Sequence, residues 1–224
     1  MKNCNFDTAK VTSKYVANKP VYDFVKRFAD IICSAIAIIL LSPFFIIISI
    51  AIKATSKGPV IFVHKRVGKN GKKIGIYKFR SMVMNAEELI EKFTPEQKEE
   101  FKKNFKLEND PRITKIGKFL RKTSLDELPQ LFNILKGDMS LVGPRPERPF
   151  FVEKFREEIP RYMVKHQVRP GLTGWAQVKG YRGDTSIRKR IECDLYYIEN
   201  WSIGFDIKII FLTFFKGFVN KNAY

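Results

Sequence analysis

Cysteine and histidine are scarce in this sequence of 224 residues. The three cysteines, Cys4, Cys33 and Cys193, lie far apart, and the two histidines are His64 and His166. None of them has the spacing of a zinc site, and an odd, scattered set of cysteines does not build a disulfide framework. The sequence therefore argues against a structural metal and indicates a reducing setting for the polar part of the chain.

Acidic residues are also few relative to basic ones. The chain has 41 lysines and arginines against 23 aspartates and glutamates, a formal net charge of +18. Such an excess repels itself unless an anion lies nearby, and nucleic acid, anionic lipid and phosphorylated substrates are the candidates. Composition alone does not choose among them.

Charge is absent altogether from the 22 residues Ile31–Ile52. A helix of that length is roughly 33 Å long, enough to cross the hydrocarbon core of a bilayer. The run begins too late and is too long for a cleaved signal peptide. The sequence therefore predicts a membrane helix over residues 20–56, between a leader of residues 1–19 and a second, more polar domain of residues 57–224.

Ser42 and Pro43 interrupt the middle of this apolar run. Proline removes a backbone donor and bends a helix, and the neighbouring serine hydroxyl can satisfy the carbonyl that proline frees. Basic residues flank the run on both sides, and the positive-inside rule assigns both flanks to the cytoplasm. A re-entrant helix that breaks at this pair and returns satisfies both observations, whereas a kinked single span remains the alternative. The flanking residues are Lys14, Lys19, Lys26 and Arg27 before, and Lys53, Lys57, Lys65 and Arg66 after.

Downstream, the pattern predicts an α+β domain that is mostly helical. Two β-rich runs, Val60–Arg66 and Ile74–Phe79, flank a turn with Asn70-Gly71 and predict a small β-hairpin. Residues 85–106 favour helix, with a fresh start at Thr94-Pro95, and residues 150–162 predict a short amphipathic helix. Residues 205–219 predict a helix lying in the lipid interface, with a core helix as the alternative.

The stretch Asp110–Pro146 carries few carboxylates in a basic surround. Phosphoryl transfer needs this mixture, because arginines bind phosphate oxygens while carboxylates hold a divalent cation or attack phosphorus. The spacing of Ser124 and Glu127 also fits an ordinary capping box, so spacing alone does not settle the role of Asp126 and Glu127. The surrounding basic residues are Arg112, Lys115, Lys118, Arg121, Lys122, Arg145 and Arg148.

Two further segments are candidates for anion binding. Prolines on both sides fix Arg145 in extended backbone at little entropic cost, which suits a preorganised phosphate contact or simply a rigid loop. Residues 168–183 are rich in glycine and interleave Arg169, Lys179 and Arg182 with Trp175. Glycines there either form turns or let the backbone approach a nucleotide, with an aromatic ring against its base.

These segments resemble the bacterial sugar transferases, the monotopic phosphoglycosyl transferases. The matches occur in the order of the family and cover nearly everything from Asp30 onward, and the Ser-Pro break matches as well. About 20 residues precede the predicted membrane helix, so the chain resembles the minimal catalytic form of the family. The matching motifs are Lys78–Met82, Asp110–Leu131, Gly137–Pro146, Arg169–Val178 and Asp194–Ser202.

The resemblance implies an enzyme that moves a sugar 1-phosphate from a UDP-sugar to polyprenol phosphate and releases UMP. Asp126 would be the nucleophile that forms an aspartyl phosphosugar, and Glu127 would bind Mg²⁺. The domain and both termini would lie on the cytoplasmic face of the bacterial inner membrane against anionic lipid, with a homodimer as one expected assembly. The substrate-binding candidates are Lys78, Arg112, Arg121, Arg145, Arg169, Lys179 and Arg182.

The segments Lys179–Thr185 and Asp194–Ser202 look closer to the hexose-transferring relatives, which favours glucose or galactose. Three other functions compete with this prediction. A nucleic-acid-binding module would explain the charge, but the sequence has no recognisable nucleic-acid motif and we expect no such partner. The others are a non-catalytic lipid-binding scaffold and a phosphohydrolase that gives the phosphosugar to water.

Overall fold

The computed structural model describes residues 19–104, 107, 109–181 and 185–217. Helix α1 spans Pro20–Thr55 and precedes a β-hairpin of strands β1, Ile61–Val67, and β2, Lys73–Phe79. Helices α2, α3 and α4 follow, and strand β3 then leads to helix α5 and strand β4. Helices α6, α7 and α8 complete the described part of the chain. Their bounds are Pro95–Asn104 for α2, Lys115–Lys122 for α3, Gln130–Lys136 for α4, Ser140–Val142 for β3, Pro149–Glu158 for α5, Gly171–Thr173 for β4, Trp175–Val178 for α6, Ile187–Glu199 for α7 and Ile203–Gly217 for α8.

The described chain is thus mostly helical with a small β-hairpin, as the sequence predicts, and it also has a second small sheet of β3 and β4. Strands β1 and β2 pair antiparallel, and the hairpin turn has Asn70 and Gly71 at positive φ, 55° and 74°. This is the conformation for which Asn-Gly is favoured. The segment before α2 forms only a short 3-10 turn, Glu88–Ile90. Helix α2 begins at Pro95 because Thr94 and Gln97 form reciprocal capping hydrogen bonds.

Helix α1 is the one described helix long and apolar enough to cross a membrane, judged by length and composition. It is assigned as a single helix through Ser42 and Pro43. Pro43 cannot donate to the carbonyl of Ile39, and the Ser42 hydroxyl donates to that carbonyl at 2.8 Å. The Ser42 hydroxyl thus satisfies the carbonyl that Pro43 leaves without a backbone donor, as the sequence predicts. The break and the re-entrant path remain predictions.

One face of α1 packs against the domain along nearly its whole length. At its start the Tyr22 hydroxyl donates to Asp206 of α8 at 2.9 Å, and at its end Ile52 is fully buried with Phe79 and Leu120. Midway, the buried Asp30 carboxylate accepts from the Leu141 backbone N–H at 2.9 Å. The opposite face exposes large apolar side chains to the surroundings. They include Phe24, Phe28, Ile36, Ile39, Leu40, Phe44, Ile46, Ile47 and Ile50.

Helix α8 also presents an apolar face outward. Phe211 and Phe214 are 60% and 67% exposed, whereas Ile209 on the opposite side is fully buried. A helix with one buried side and an exposed aromatic side suits a lipid interface. The predicted helix is therefore confirmed over residues 205–217, whereas residues 218 and 219 lie outside the described part of the chain. Its exposed face favours the interfacial alternative over a fully buried core helix.

Candidate active site

Asp126 and Glu127 lie on a single 3-10 turn, Leu125–Glu127, between α3 and α4. Ser124 before them adopts a left-handed conformation with φ of 57°, and its backbone carbonyl accepts from the Glu127 N–H at 3.1 Å. Among the described residues its hydroxyl caps no helix N–H, so the capping-box interpretation is wrong. The physical reason is that the Ser124 backbone turns its side chain away while the Glu127 carboxylate contacts cations.

Two cations contact the Glu127 carboxylate directly. Lys78 Nζ lies 2.7 Å from Oε1, and Arg145 places Nη2 2.6 Å from Oε1 and Nη1 3.3 Å from Oε2. Both carboxylates are buried, Asp126 to 6% and Glu127 to 7% exposure. Buried charge is tolerated only when it is paired, and here the pairing brings three sequence-predicted residues, Lys78, Arg145 and Glu127, into one cluster.

Asp126 has different surroundings. Lys78 Nζ is 3.8 Å from its Oδ2, beyond hydrogen-bond distance. Burial raises the pKa of Asp126, while the charges of Lys78, Arg121 and Arg145 oppose that shift. A carboxylate that is desolvated and loosely paired is a better nucleophile than one whose oxygens are fully engaged.

Neighbouring elements hold this geometry in place. The buried Asn133 side chain of α4 bonds the edge of β2, accepting from the Tyr77 N–H at 2.9 Å and donating to the Gly75 carbonyl at 2.7 Å. Strand β2 therefore holds Lys78 in a fixed register next to the pair Asp126 and Glu127, called the dyad below. Helix α3 packs so close to the end of β2 that a Cβ on Gly117 would lie 2.0 Å from the Ser81 carbonyl oxygen.

The proline-flanked loop is fixed by the second sheet. Strands β3 and β4 are parallel, the Gly143 N–H donates to Thr173, and the Gly171 N–H donates to the Pro144 carbonyl, each at 2.9 Å. A Cβ on Gly143 would lie 2.5 Å from the Arg169 carbonyl oxygen, so this crossing requires glycine. The backbone before Arg145 is thereby held from both sides, which agrees with the prediction of a preorganised arginine.

The other predicted substrate-binding residues differ in their distance from this cluster, and most of them have partners elsewhere. Arg121 donates to the Ser81 hydroxyl at 2.8 Å, close enough to influence Asp126. Arg112 is buried and pairs with Asp110, its Nη2 2.6 Å from Oδ2. Arg169 donates to the Gly137 carbonyl at the far end of α4, and Lys179 lies over the Trp175 ring. Arg182 lies outside the described residues.

The donor set can be compared with the needs of Mg²⁺. No group of three or more His, Cys, Asp and Glu side chains comes together within the described ranges. Mg²⁺ commonly takes only one or two protein carboxylates, with waters and substrate phosphates completing its shell. The adjacent Asp126 and Glu127 fit that pattern, and a cation at Glu127 would share its carboxylate with Lys78 and Arg145.

Sequence reasoning missed two residues beside the cluster, His64 and Arg66. Both lie on β1, and the hairpin register places Phe62 opposite Lys78. Because side chains alternate along a strand, His64 and Arg66 follow Phe62 on the face that carries Lys78. The alternation of side chains along the predicted hairpin could have indicated that His64 and Arg66 share a face with Lys78.

The long apolar helix α1 suggests membrane association, and a buried carboxylate pair surrounded by lysine and arginine suits a phosphate-bearing ligand. The model of the bacterial sugar transferase family matches residues 21–220. The chain belongs to the bacterial sugar transferase family.

Three curated relatives are similar to the chain. One is a UDP-glucose:undecaprenyl-phosphate glucose-1-phosphate transferase of Escherichia coli, 48% identical, covering 92% of the chain and 44% of the relative. Another is a UDP-N-acetylgalactosamine-undecaprenyl-phosphate N-acetylgalactosaminephosphotransferase of Aeromonas hydrophila, 48% identical, covering 87% and 44%. The third is the exopolysaccharide production protein ExoY of Rhizobium meliloti, 39% identical, covering 93% and 92%. The chain thus spans less than half of the first two and nearly all of the third.

Proposed function

We propose that the chain transfers a sugar 1-phosphate from a UDP-sugar to a polyprenol phosphate, undecaprenyl phosphate in bacteria, and releases UMP. The observation that carries the proposal is the buried Asp126–Glu127 pair in contact with Lys78 and Arg145 beside an apolar helix. Two anionic substrates require such cations, and the activities named for the relatives supply the chemical class. The product would begin assembly of an exopolysaccharide, capsule, O-antigen or glycoprotein glycan.

Asp126 is the proposed nucleophile. Its carboxylate oxygen forms a bond to the β-phosphorus, the bond from that phosphorus to the bridging oxygen breaks, and the electron pair leaves with UMP. The acceptor phosphate oxygen then forms the new bond to phosphorus and returns Asp126 as a free carboxylate. Lys78 and Arg145 are placed to offset the charge that develops on phosphate oxygens.

Glu127 is the proposed Mg²⁺ ligand, with substrate phosphates supplying further oxygens. When bound, Mg²⁺ neutralises charge on the diphosphate. Lys78 and Arg145 hold the Glu127 carboxylate in a fixed orientation, since both contact its Oε1. Asp126, paired only at 3.8 Å with Lys78, keeps an oxygen for attack.

The path of α1 through the membrane is also proposed as re-entrant. Tyr22 at one end and Ile52 at the other both pack on the same domain. A straight span would carry one end to the far side of the bilayer, away from that domain, so these contacts support both ends lying on one face. We place that face in the cytoplasm at the inner membrane, with anionic lipid attracted by the net charge of +18.

The test of this function is turnover by the full chain in lipid nanodiscs with Mg²⁺ and polyprenol phosphate. We expect UMP release from a UDP-hexose, glucose or galactose, in preference to UDP-N-acetylgalactosamine. Asp126→Asn should abolish release, whereas Glu158→Gln, which removes an exposed carboxylate of α5, should retain it. Full activity in Asp126→Asn, or free sugar phosphate as the product, would contradict the proposal.

A further inference from the structure

Arg66 is a partly buried cation of strand β1, on the face that carries Lys78. Its Nη2 lies 3.5 Å from His64 Nδ1. Among the described residues no carboxylate lies within ion-pair distance of its guanidinium, whereas Arg112 pairs with Asp110 and Arg145 pairs with Glu127. Burial and the like charges of Arg145 and Arg148 lower the pKa of Arg66 to about 10, with Glu147 and Glu127 opposing. An anionic ligand would offset this cost.

His64 presents a hydrogen-bond donor next to that guanidinium. Burial and the charges of Arg66, Arg148 and Lys78 lower the pKa of His64 to about 3, so the imidazole is neutral at physiological pH. Because a guanidinium only donates, His64 Nδ1 accepts from Arg66 and the ring proton resides on Nε2. Arg66 and His64 Nε2 therefore present only hydrogen-bond donors to a ligand.

The position of Arg66 relative to Asp126 suggests which phosphate would bind there. The cation paired with Asp126 is Lys78, at 3.8 Å. Arg66 precedes Val67, whose N–H donates to the Glu147 carbonyl at 3.0 Å, so strand β1 places Arg66 beside the loop that carries Arg145. Because Arg145 pairs with Glu127 at 2.6 Å, Arg66 lies on the Glu127 side of the Asp126–Glu127 pair. In-line displacement places the leaving oxygen opposite the attacking one, which makes this side suitable for the departing group.

We propose that Arg66 and His64 form a subsite for the phosphate of the departing nucleoside monophosphate, with Arg66 donating to its non-bridging oxygens and His64 Nε2 donating to the same group. The inference rests on the proposed function and extends it. As the bond from the β-phosphorus to the bridging oxygen breaks, that oxygen takes the electron pair, and the resulting phosphate dianion requires a cation that is not already paired with a carboxylate.

The experiment measures UMP binding to the full chain by calorimetry in lipid nanodiscs, which needs no turnover. Arg66→Gln should weaken UMP binding by roughly 10- to 100-fold, the range expected for the loss of a charge-assisted contact. Lys65→Gln is the matched control, because it removes the same charge from the preceding residue. Lys65 is exposed and lies on the other face of β1. It should change UMP binding less than about twofold.

The KM for polyprenol phosphate, measured in the same variants, should stay unchanged in Arg66→Gln. A rise in that KM without weaker UMP binding would assign Arg66 to the acceptor phosphate and overturn the proposal, as would equal UMP binding in Arg66→Gln and Lys65→Gln. If thermal melting shows that Arg66→Gln does not fold, Arg66→Lys replaces it in the test. This variant keeps the charge but loses the two-point donor, so it should still weaken UMP binding about tenfold. Unchanged UMP binding in Arg66→Lys would overturn the subsite.

Failure of the proposed function has a different signature. A wild-type chain that releases no UMP from any UDP-sugar refutes the transfer reaction, whereas the binding comparison above still decides the subsite. A wild-type chain that turns over but whose UMP affinity ignores Arg66 refutes the subsite alone.

Discussion

Asp126 and Glu127 are neighbours in the chain, yet their contacts differ. Glu127 accepts directly from Lys78 and Arg145, whereas the cation paired with Asp126 in the described part of the chain is Lys78, at 3.8 Å. This difference in pairing supports the proposal that Asp126 is the nucleophile and Glu127 the metal ligand. It arises from the 3-10 turn, which directs two adjacent side chains into different parts of one basic cluster.

Two arginines predicted as substrate ligands should respond differently to the same conservative change. Arg145→Lys keeps the charge at the dyad but loses the two-point contact with Glu127, so kcat/KM should fall about 10- to 100-fold with a small change in melting temperature. Arg112→Lys should lower the melting temperature while kcat/KM is largely retained, because Arg112 pairs with Asp110 and packs between Phe93 and Phe101.

Steady-state kinetics and thermal melting of both variants test this contrast. The interpretation of the two positions would be contradicted if Arg112→Lys lost activity without losing stability, or if Arg145→Lys lost stability alone.

At the residue scale, the sequence predicted the cluster of Lys78, Arg145, Asp126 and Glu127 because each lies in a distinctive motif. It did not separate Arg112 and Arg169 from that cluster. Arg112, Arg145 and Arg169 are all arginines in basic segments, so the sequence pattern does not distinguish them. The tertiary structure shows that Arg112 pairs with Asp110 and that Arg169 donates to a carbonyl at the end of α4.

At the scale of elements, the loop that carries Arg145 depends on a neighbouring helix. The Glu147 carbonyl accepts from the Val67 N–H of β1 at 3.0 Å, and its carboxylate accepts from Arg190 of α7 at 3.1 Å. Helix α7 is in turn fixed by a buried ion pair, Lys165 with Asp194 at 2.7 Å. This pair lies on the side of α7 that faces the turn Tyr162–Gln167.

Lys165→Met should destabilise the protein by about 3–5 kcal/mol near neutral pH, because it leaves the buried Asp194 carboxylate without its cation. Burial already raises the pKa of Asp194, with Lys165 opposing, so removal of Lys165 raises it further. The folded variant then binds a proton more readily than the unfolded chain. The loss of stability should therefore shrink as pH falls through that raised pKa.

Denaturation of the variant and wild type across a pH series measures the effect. The double variant Lys165→Met with Asp194→Leu should recover much of the stability, since no buried charge is left unpaired. A loss that is independent of pH and persists in the double variant would show that the pair is not the cause.

The elements themselves were largely predictable from local pattern. Alternation and Asn-Gly predict the hairpin, and Thr94-Pro95 predicts the start of α2. The capping box was wrong because the same Ser-x-x-Glu spacing occurs in a turn whose serine is left-handed. The parallel pairing of β3 and β4 joins short segments distant in the chain and leaves no local periodic signal.

On the scale of the whole molecule, α1 is part of the core as well as the apolar anchor. It contributes Tyr22, Ile38 and Ile52 to three different core clusters, while its other face exposes apolar side chains. Hydropathy predicts the apolar run but not this second role, because the contacts depend on residues that are distant in the chain.

The same arrangement predicts the membrane topology. In intact inverted and right-side-out membrane vesicles, Cys4 before α1 and Cys193 after it should both react with an impermeant thiol reagent from the cytoplasmic side. A variant without Cys33 removes the thiol within α1 from the comparison. Labelling of Cys4 only from the opposite side would show that α1 spans the bilayer.

The most direct measurement of the central claim is mass spectrometry of the full chain incubated with Mg²⁺ and a UDP-hexose without acceptor. We predict a hexose-phosphate adduct on the peptide containing Asp126, one UMP released per adduct, and loss of the adduct when polyprenol phosphate is added. UMP release with no adduct, or an adduct on Glu127 while Asp126→Asn remains active, would contradict the account.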